Sequence, residues 1–133
     1  MYEISKSISF CYGHRLLNYV GPCQNLHGHN GKADILLASD TLDERGMVVD
    51  FGDIKAIIKQ WIDETLDHTM LLCKGDPLIP VFEERNEKFY LMDENPTAEN
   101  IAKLIYEYAK SQDMPIISVT LWESDTSFAR YSK

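Results

Sequence analysis

The chain has 133 residues, 44% of them hydrophobic, which predicts one domain spanning residues 1–133 with a core that needs no disulfide bonds. Its formal net charge of −8 repels a phosphate backbone, so we expect no direct binding of nucleic acid. The sequence has no apolar run of membrane-spanning length, no N-terminal secretion signal and an odd number of cysteines, three, so we expect a cytoplasmic protein that does not bind membranes.

Strands are predicted near both ends of the chain. Polarity alternates over residues 2–11, with Ile8 and Phe10 on one side and serines on the other, as in a half-buried strand. Residues 12–26 lack regular apolar spacing and predict a long loop. Further strands are expected at 26–38, 47–50, 116–123 and 128–131. Cys11 and Cys73 have apolar sequence neighbours, and we expect both to be small core residues.

Two helices are predicted between these strands. Apolar residues recur at helical spacing over 54–66, and Asp50 or Asp53 could cap that helix. A second helix is expected to start near residues 95–97, with Pro96 in its first position. Residues 81–83 and 88–91 predict a small hairpin. This order of elements indicates an α+β fold with helices on one face of an antiparallel sheet.

Three of the four histidines are candidate metal ligands. His27 and His29 are separated by one residue, so in a strand both point to the same face, and Gly28 adds no bulk between them. His14, at the end of the first strand, supplies a third imidazole. Three protein ligands suit a catalytic zinc site, which keeps a position open. The less specific interpretation is two exposed strand histidines and one core histidine.

Cys23 lies four residues before His27 and has two functional interpretations. It could be the fourth ligand of a closed, structural zinc site. Alternatively, a nearby dication would favour its thiolate, which suits a catalytic base or nucleophile. The sequence pattern leaves both interpretations open.

Two carboxylates also have candidate roles. Asp67 directly precedes His68 and could orient and polarise its imidazole, although a helix end with a solvated histidine gives the same pattern. Glu123 closes an apolar strand. It lies either at a solvent-facing strand end or where it accepts two parallel N–H bonds from a bound ligand.

Six segments in the same order resemble the 6-pyruvoyl-tetrahydropterin synthase superfamily, most of all its 6-carboxytetrahydropterin synthase branch of queuosine biosynthesis. They are residues 10–16, Cys-x-x-x-His-Gly-His at 23–29, and residues 46–51, 66–68, 96–100 and 122–124. The resemblance implies a tunnelling fold (T-fold), a four-stranded antiparallel sheet with two helices on one face. It also implies a homohexamer, a dimer of trimers, with active sites between subunits.

The resemblance also implies a role for each candidate residue. The implied Zn²⁺ ligands are His14, His27 and His29; the implied catalytic groups are the thiol of Cys23 and the proton-transfer pair Asp67 and His68; and the implied pterin-binding residues are Glu123 as anchor, with Asp50 and Phe51 lining the pocket.

The implied substrate is 7,8-dihydroneopterin triphosphate, and the implied products are 6-carboxy-5,6,7,8-tetrahydropterin, acetaldehyde and triphosphate. The spacing of Cys23 and His27 is typical of this branch, because the pyruvoyl enzymes usually have a longer gap and a folate-related branch has glutamate in place of the cysteine. The alternatives are a 6-pyruvoyl-tetrahydropterin synthase, which eliminates triphosphate without carbon–carbon cleavage, and a catalytically silent pterin- or zinc-binding module.

Overall fold

A computed structural model describes all 133 residues. The strands are β1 (Tyr2–His14), β2 (His27–Ser39), β3 (Thr69–Cys73), β4 (Phe89–Met92), β5 (Ile116–Ser124) and β6 (Ser127–Ser132). The helices are α1 (Phe51–Ile54), α2 (Gln60–Thr65), α3 (Ile79–Glu84) and α4 (Ala98–Ser111), and a π-helical segment, Lys55–Lys59, joins α1 to α2. None of the helices is both long enough and apolar enough to cross a bilayer.

The six strands form one curled, mixed sheet in the order β4-β3-β1-β2-β5-β6. The pairs β1–β2, β2–β5 and β5–β6 are antiparallel, whereas β1–β3 and β3–β4 are parallel. The α+β class is therefore confirmed, but the predicted four-stranded antiparallel sheet is wrong. The two additional strands, β3 and β4, extend the sheet beyond β1 because the segment between α2 and α4 returns to it twice.

The segment between α2 and α4 also corrects the predicted hairpin. Residues 79–84 form α3, and residues 89–92 pair in parallel with β3 instead of folding back on residues 81–83. Pro80 lies in the first turn of α3, where its missing N–H is tolerated. The short strand predicted at 47–50 is also absent, because Asp50 instead accepts a hydrogen bond from the Gly52 amide and caps α1.

The α1–α2 segment and α4, which correspond to the two predicted helices, pack on one face of the sheet. The α1–α2 segment contributes Ile54, Ile58 and Ile62 to a core cluster of 21 buried residues, and α4 adds Ile101 and Ile105. Complete burial of each such side chain stabilises the fold by about 1.5–3 kcal/mol. The second predicted helix, α4, begins at Ala98, two residues after the predicted first position at Pro96, because the Thr97 side chain accepts a hydrogen bond from the Asn100 amide and caps it.

The prediction for Cys11 is wrong, because this residue is exposed on the sheet face opposite the helices. Its neighbours Phe10 and Tyr12 point into the core, so strand alternation turns Cys11 outward. Cys73 is half-buried in β3. Burial raises the pKa of the Cys73 thiol, and the charges of Asp76 and Glu94 raise it further.

Candidate metal centre and catalytic groups

The register of β1 and β2 brings three imidazoles together at one end of the sheet. His14 pairs directly with His27, and Tyr12 pairs with His29, so all of these side chains lie on the same face. Gly28 lies between the two β2 histidines. A Cβ on Gly28 would lie 2.9 Å from the Tyr12 carbonyl oxygen, so glycine allows β1 and β2 to approach each other here.

The three histidines, called the histidine cluster below, point their Nε2 atoms at one another. The Nε2 of His14 lies 3.0 Å from that of His27 and 3.2 Å from that of His29. One nitrogen from each ring lies within 4.8 Å of the other two, so these residues could hold a metal ion. Three imidazole nitrogens suit Zn²⁺, which is typically bound by three protein ligands when a position stays open for substrate.

Main-chain carbonyls orient two of the three rings. The Nδ1–H of His14 donates to the Pro96 carbonyl at 2.6 Å, and that of His27 donates to the Asn25 carbonyl at 2.7 Å. A proton on Nδ1 leaves the Nε2 lone pair free for a metal, so these contacts select the ligating tautomer.

Burial keeps His14 neutral. His14 is 2% exposed, and this burial is the main cause that lowers the pKa of its imidazole. The hydrogen bond to Pro96 acts in the opposite direction, whereas neighbouring His27 and His29 lower the pKa further. A neutral imidazole is the form that binds a metal.

Cys23 lies beside the histidine cluster in the loop that was predicted between β1 and β2. A short 3₁₀ turn, Pro22–Gln24, contains it, and its carbonyl accepts a hydrogen bond from the Leu16 amide at 2.9 Å. The same loop is fastened to the start of α4, because the Asn95 side chain bonds both the amide and the carbonyl of Leu17. These contacts hold the half-buried thiol near the end of β1.

A cavity of about 230 Å³ joins Cys23 to the cluster and to Glu123. Its other polar lining comes from Thr97 and Glu99 at the start of α4 and from Ser127 of β6. The Glu123 carboxylate lies 3.5 Å from the Nε2 of His29. The structure therefore brings Cys23, Glu123 and the histidine cluster together within one chain.

Asp67 and His68, called the Asp67–His68 pair below, lie beside Cys11, and His68 lines a cavity that His27 also borders. The Nδ1–H of His68 donates to one carboxylate oxygen of Asp67 at 2.9 Å, and the Cys11 amide donates to the other at 2.9 Å. Partial burial raises the pKa of Asp67, but the hydrogen bonds from Cys11 and His68 outweigh it and hold the pKa below its ordinary value. The carboxylate thus stays ionised and orients His68.

Within one chain the pair makes no hydrogen bond to Cys23 or to the histidine cluster. It lines a larger cavity, about 640 Å³, on the face where Cys11 is exposed, together with Lys32 and Trp122. The His68 side chain is 79% exposed. One chain therefore presents these two groups outward and does not assemble them with Cys23.

Asp50 and Phe51 also lie apart from the cluster. Asp50 caps α1 and lies 3.5 Å from the Arg45 guanidinium, while the ring of Phe51 is exposed. Neither residue lines the cavity that contains Cys23 and Glu123. Their predicted contact with a pterin stays a prediction.

Three contributors to the site were missed at the sequence level. The carbonyls of Asn25 and Pro96 orient two imidazoles, but main-chain groups leave no trace in side-chain patterns. Tyr12, which lies between the core and the cluster, could have been found. It continues the alternation of Ile8 and Phe10 toward His14 and so belongs to the same face.

Comparison with known proteins gives a consistent result over nearly the whole chain. The family described as 6-pyruvoyl tetrahydropterin synthase matches residues 3–133. The 6-carboxy-5,6,7,8-tetrahydropterin synthase of Rickettsia bellii is 37% identical to the chain over 135 aligned residues, which cover 96% of the chain and 98% of that protein.

Two solved structures share the fold. An uncharacterised protein from Wolinella succinogenes superposes with a TM-score of 0.81 at 29% identity, covering 99% of this chain and 98% of that one. The 6-pyruvoyl tetrahydropterin synthase of Caenorhabditis elegans gives a TM-score of 0.75 at 24% identity, with coverage of 99% and 95%. At that identity the second comparison supports the architecture alone.

Proposed function

This chain belongs to the 6-pyruvoyl tetrahydropterin synthase family, and we propose that it converts 7,8-dihydroneopterin triphosphate to 6-carboxy-5,6,7,8-tetrahydropterin, acetaldehyde and triphosphate, in queuosine biosynthesis. One observation carries the proposal. Three imidazole nitrogens converge beside a thiol and a carboxylate. The chain that carries them aligns over almost its whole length with the 6-carboxy-5,6,7,8-tetrahydropterin synthase of Rickettsia bellii.

The histidine cluster would hold one Zn²⁺ per chain. The donor set fits, because burial favours the neutral form of His14 and two rings are held in the ligating tautomer. A zinc ion held there would supply Lewis acidity, which would make a carbinol C–H of the substrate side chain more acidic. Imidazole also suits several other divalent metals, so metal analysis belongs with every activity measurement.

Cys23 would act as the base that removes this proton. Its thiol shares a cavity with His14, and a nearby dication favours the thiolate. Glu123, in the same cavity, would anchor the pterin, since a carboxylate can accept two parallel N–H bonds from an aminopyrimidine edge. Together these groups would place the substrate side chain toward Cys23 and its ring toward β5.

The Asp67–His68 pair would complete the site of a neighbouring copy. The Nδ1–H of His68 is bonded to Asp67, so its Nε2 points outward and can exchange a proton with a substrate held by another subunit. A homohexamer built from two trimers provides such neighbours. It also removes the open edges that β4 and β6 leave on an isolated sheet. The three unpaired cysteines fit a reducing cytoplasm.

A product assay tests the proposed reaction. The zinc-loaded protein, kept reduced, is mixed with 7,8-dihydroneopterin triphosphate, and pterins and acetaldehyde are identified by mass spectrometry. We expect the carboxy product with one equivalent of acetaldehyde. A pyruvoyl product without acetaldehyde would reassign the chain to the other reaction of the family. Tight binding of zinc and pterin without turnover would make it a binding module.

A variant at Cys23 separates the catalytic role from a ligand role. Cys23→Ala should keep about one zinc per chain, because three histidines form an open site, while turnover is lost. Cys73→Ala is the matched control, since this half-buried thiol in β3 lines none of the cavities around the cluster. Loss of zinc from Cys23→Ala would instead mean a closed site of one cysteine and three histidines.

A further inference from the structure

Tyr12 carries the one buried side-chain polar atom in the molecule that has no hydrogen-bond partner. The residue is 1% exposed and lies two positions before His14 on the same face of β1, yet its hydroxyl contacts no donor or acceptor. Buried hydroxyls in folded proteins nearly always have a partner. An unpartnered hydroxyl next to a ligand site therefore points to a partner that is engaged in the loaded protein.

Packing alone does not explain the hydroxyl. The Tyr12 ring lies over Gly31, where a Cβ would come within 2.9 Å of the ring. It also packs against Phe10 and His29, with ring centroids 5.4 and 5.7 Å away. A phenylalanine would fill the same space with the same contacts and without an unpaired polar atom. The hydroxyl thus has a role beyond packing.

Glu123 is the carboxylate that borders the same imidazole as Tyr12. The Tyr12 ring packs against His29, with ring centroids 5.7 Å apart. In the structure the Glu123 carboxylate lies 3.5 Å from the Nε2 of that histidine. An imidazole nitrogen that binds a metal carries no proton, so His29 cannot donate to Glu123 in the metal-loaded protein.

We propose that Tyr12 is a positioning residue whose hydroxyl donates a hydrogen bond to Glu123 when the histidine cluster holds its metal. This bond keeps the carboxylate turned away from the open coordination position and oriented toward the N–H pair of a bound aminopyrimidine. The inference rests on the proposed function, because it assigns a task to Glu123 that only an aminopyrimidine ligand requires. Gly31 provides the space in which the Tyr12 ring can reach across β2.

The test is Tyr12→Phe in the zinc-loaded protein, with neopterin as a fluorescent probe. Loss of one hydrogen bond to a carboxylate should raise the Kd for neopterin about 10-fold, while zinc remains at one per chain. The zinc-free variant should melt at the same temperature as the wild type or higher, because it lacks the unpartnered hydroxyl. Tyr2→Phe, which removes an exposed hydroxyl at the far end of β1, is the matched control and should leave the Kd unchanged.

A double-mutant cycle with Glu123→Gln identifies the partner. If the hydroxyl acts through Glu123, adding Tyr12→Phe to Glu123→Gln should weaken binding by much less than 10-fold. A wild-type Kd in Tyr12→Phe together with weak binding in Glu123→Gln would overturn the role of Tyr12 and leave the pterin anchor standing. Unchanged binding in both single variants would overturn both.

Discussion

The histidine cluster and the Asp67–His68 pair differ in how fully a single chain surrounds and orients their side chains. The cluster is placed by the register of two long strands, and two of its rings have carbonyl partners from the same chain. His68 is directed by Asp67 and is otherwise open to solvent, with a side chain 79% exposed. One chain thus brings together three histidines that could hold a metal ion, but it only orients the Asp67–His68 pair. In the proposed hexamer, that pair would act on a substrate bound by another copy.

Although the His68 side chain is exposed, its backbone conformation is fixed by hydrogen bonds. The residue has φ of 53°, a left-handed conformation that is uncommon for residues other than glycine. Its amide donates to the Cys11 carbonyl at 2.6 Å, and the Cys11 amide donates to Asp67. A strained conformation held by specific hydrogen bonds is often found at functional positions. The imidazole is therefore oriented as well as exposed.

The largest effect should come from the cluster. His27→Ala removes one of the three proposed ligands. Zinc affinity should therefore fall by more than the roughly 10–100-fold that follows loss of a group hydrogen-bonded to a ligand, and turnover should disappear with it. Metal analysis after dialysis measures the first effect. Retention of one tightly bound zinc per chain in this variant would show that the cluster is not the metal site.

The second effect should separate the two regions. His68→Ala should keep its zinc but lose turnover about 10²–10⁴-fold, the usual contribution of a positioned general acid or base. Asp67→Asn should follow it with a smaller loss, because an amide orients the ring but carries no charge. Steady-state kinetics and metal content on the same samples check this. Unchanged kinetics in His68→Ala would remove the pair from the reaction.

A third effect, on the free energy of unfolding, concerns the ion pair between Arg15 and Asp76 next to the histidine cluster. Asp76 is buried and accepts two hydrogen bonds from Arg15, the residue after His14. Asp76→Asn should lower the free energy of unfolding by about 3 kcal/mol, because it leaves the Arg15 charge unpaired. The exposed Asp63, which pairs with Lys59, is the matched control, and Asp63→Asn should change stability by less than about 0.5 kcal/mol.

The same pair predicts a pH dependence. The hydrogen bond from Arg15 is the main cause that lowers the pKa of Asp76 in the folded protein. The folded state therefore binds its proton at lower pH than the unfolded chain does. Stability from this carboxylate is complete above about pH 4 and is lost as pH falls through the lowered pKa. Chemical denaturation at several pH values measures the free energy of unfolding. Below about pH 4 this free energy should fall less steeply with decreasing pH in Asp76→Asn than in the wild type. An identical slope in both proteins would contradict a role for Asp76.

The smallest effect distinguishes a cap from a pterin contact. Asp50→Ala should cost about 1 kcal/mol of stability, because the Gly52 amide at the start of α1 loses its acceptor. Asp50→Ser keeps a capping oxygen and should restore most of that stability. If the serine variant is stable yet binds neopterin weakly, Asp50 contacts the ligand. If it binds normally, the residue acts only as a helix cap.

The strand patterns predicted the cluster because the relevant information is local. One residue separates His27 from His29, so any extended conformation puts both on one face, and His14 needed only a neighbouring strand. The exposed position of Cys11 followed from the same alternation, but its apolar sequence neighbours suggested burial and gave the wrong prediction.

A strand was predicted at 88–91, but the parallel pairing of β3 and β4 could not be predicted in this way. Five residues of β3 and four of β4 form short apolar runs whose type is decided by parallel pairing with distant residues. β3 pairs with β1 only at Tyr12, Gly13 and His14, a contact that no local pattern encodes. Orientation of His14 by the Pro96 carbonyl, 82 residues away, likewise depends on tertiary packing.

Complementation between two inactive variants tests the central claim most directly, namely that the Cys23 and His68 of one active site come from different chains. Cys23→Ala and His68→Ala, each inactive alone, are co-expressed in equal amounts with different tags, and mixed oligomers are purified and assayed. Independent assortment should restore about a quarter of the wild-type turnover, because one site in four then receives both groups intact. Mixed oligomers as inactive as their parents would contradict a site shared between subunits.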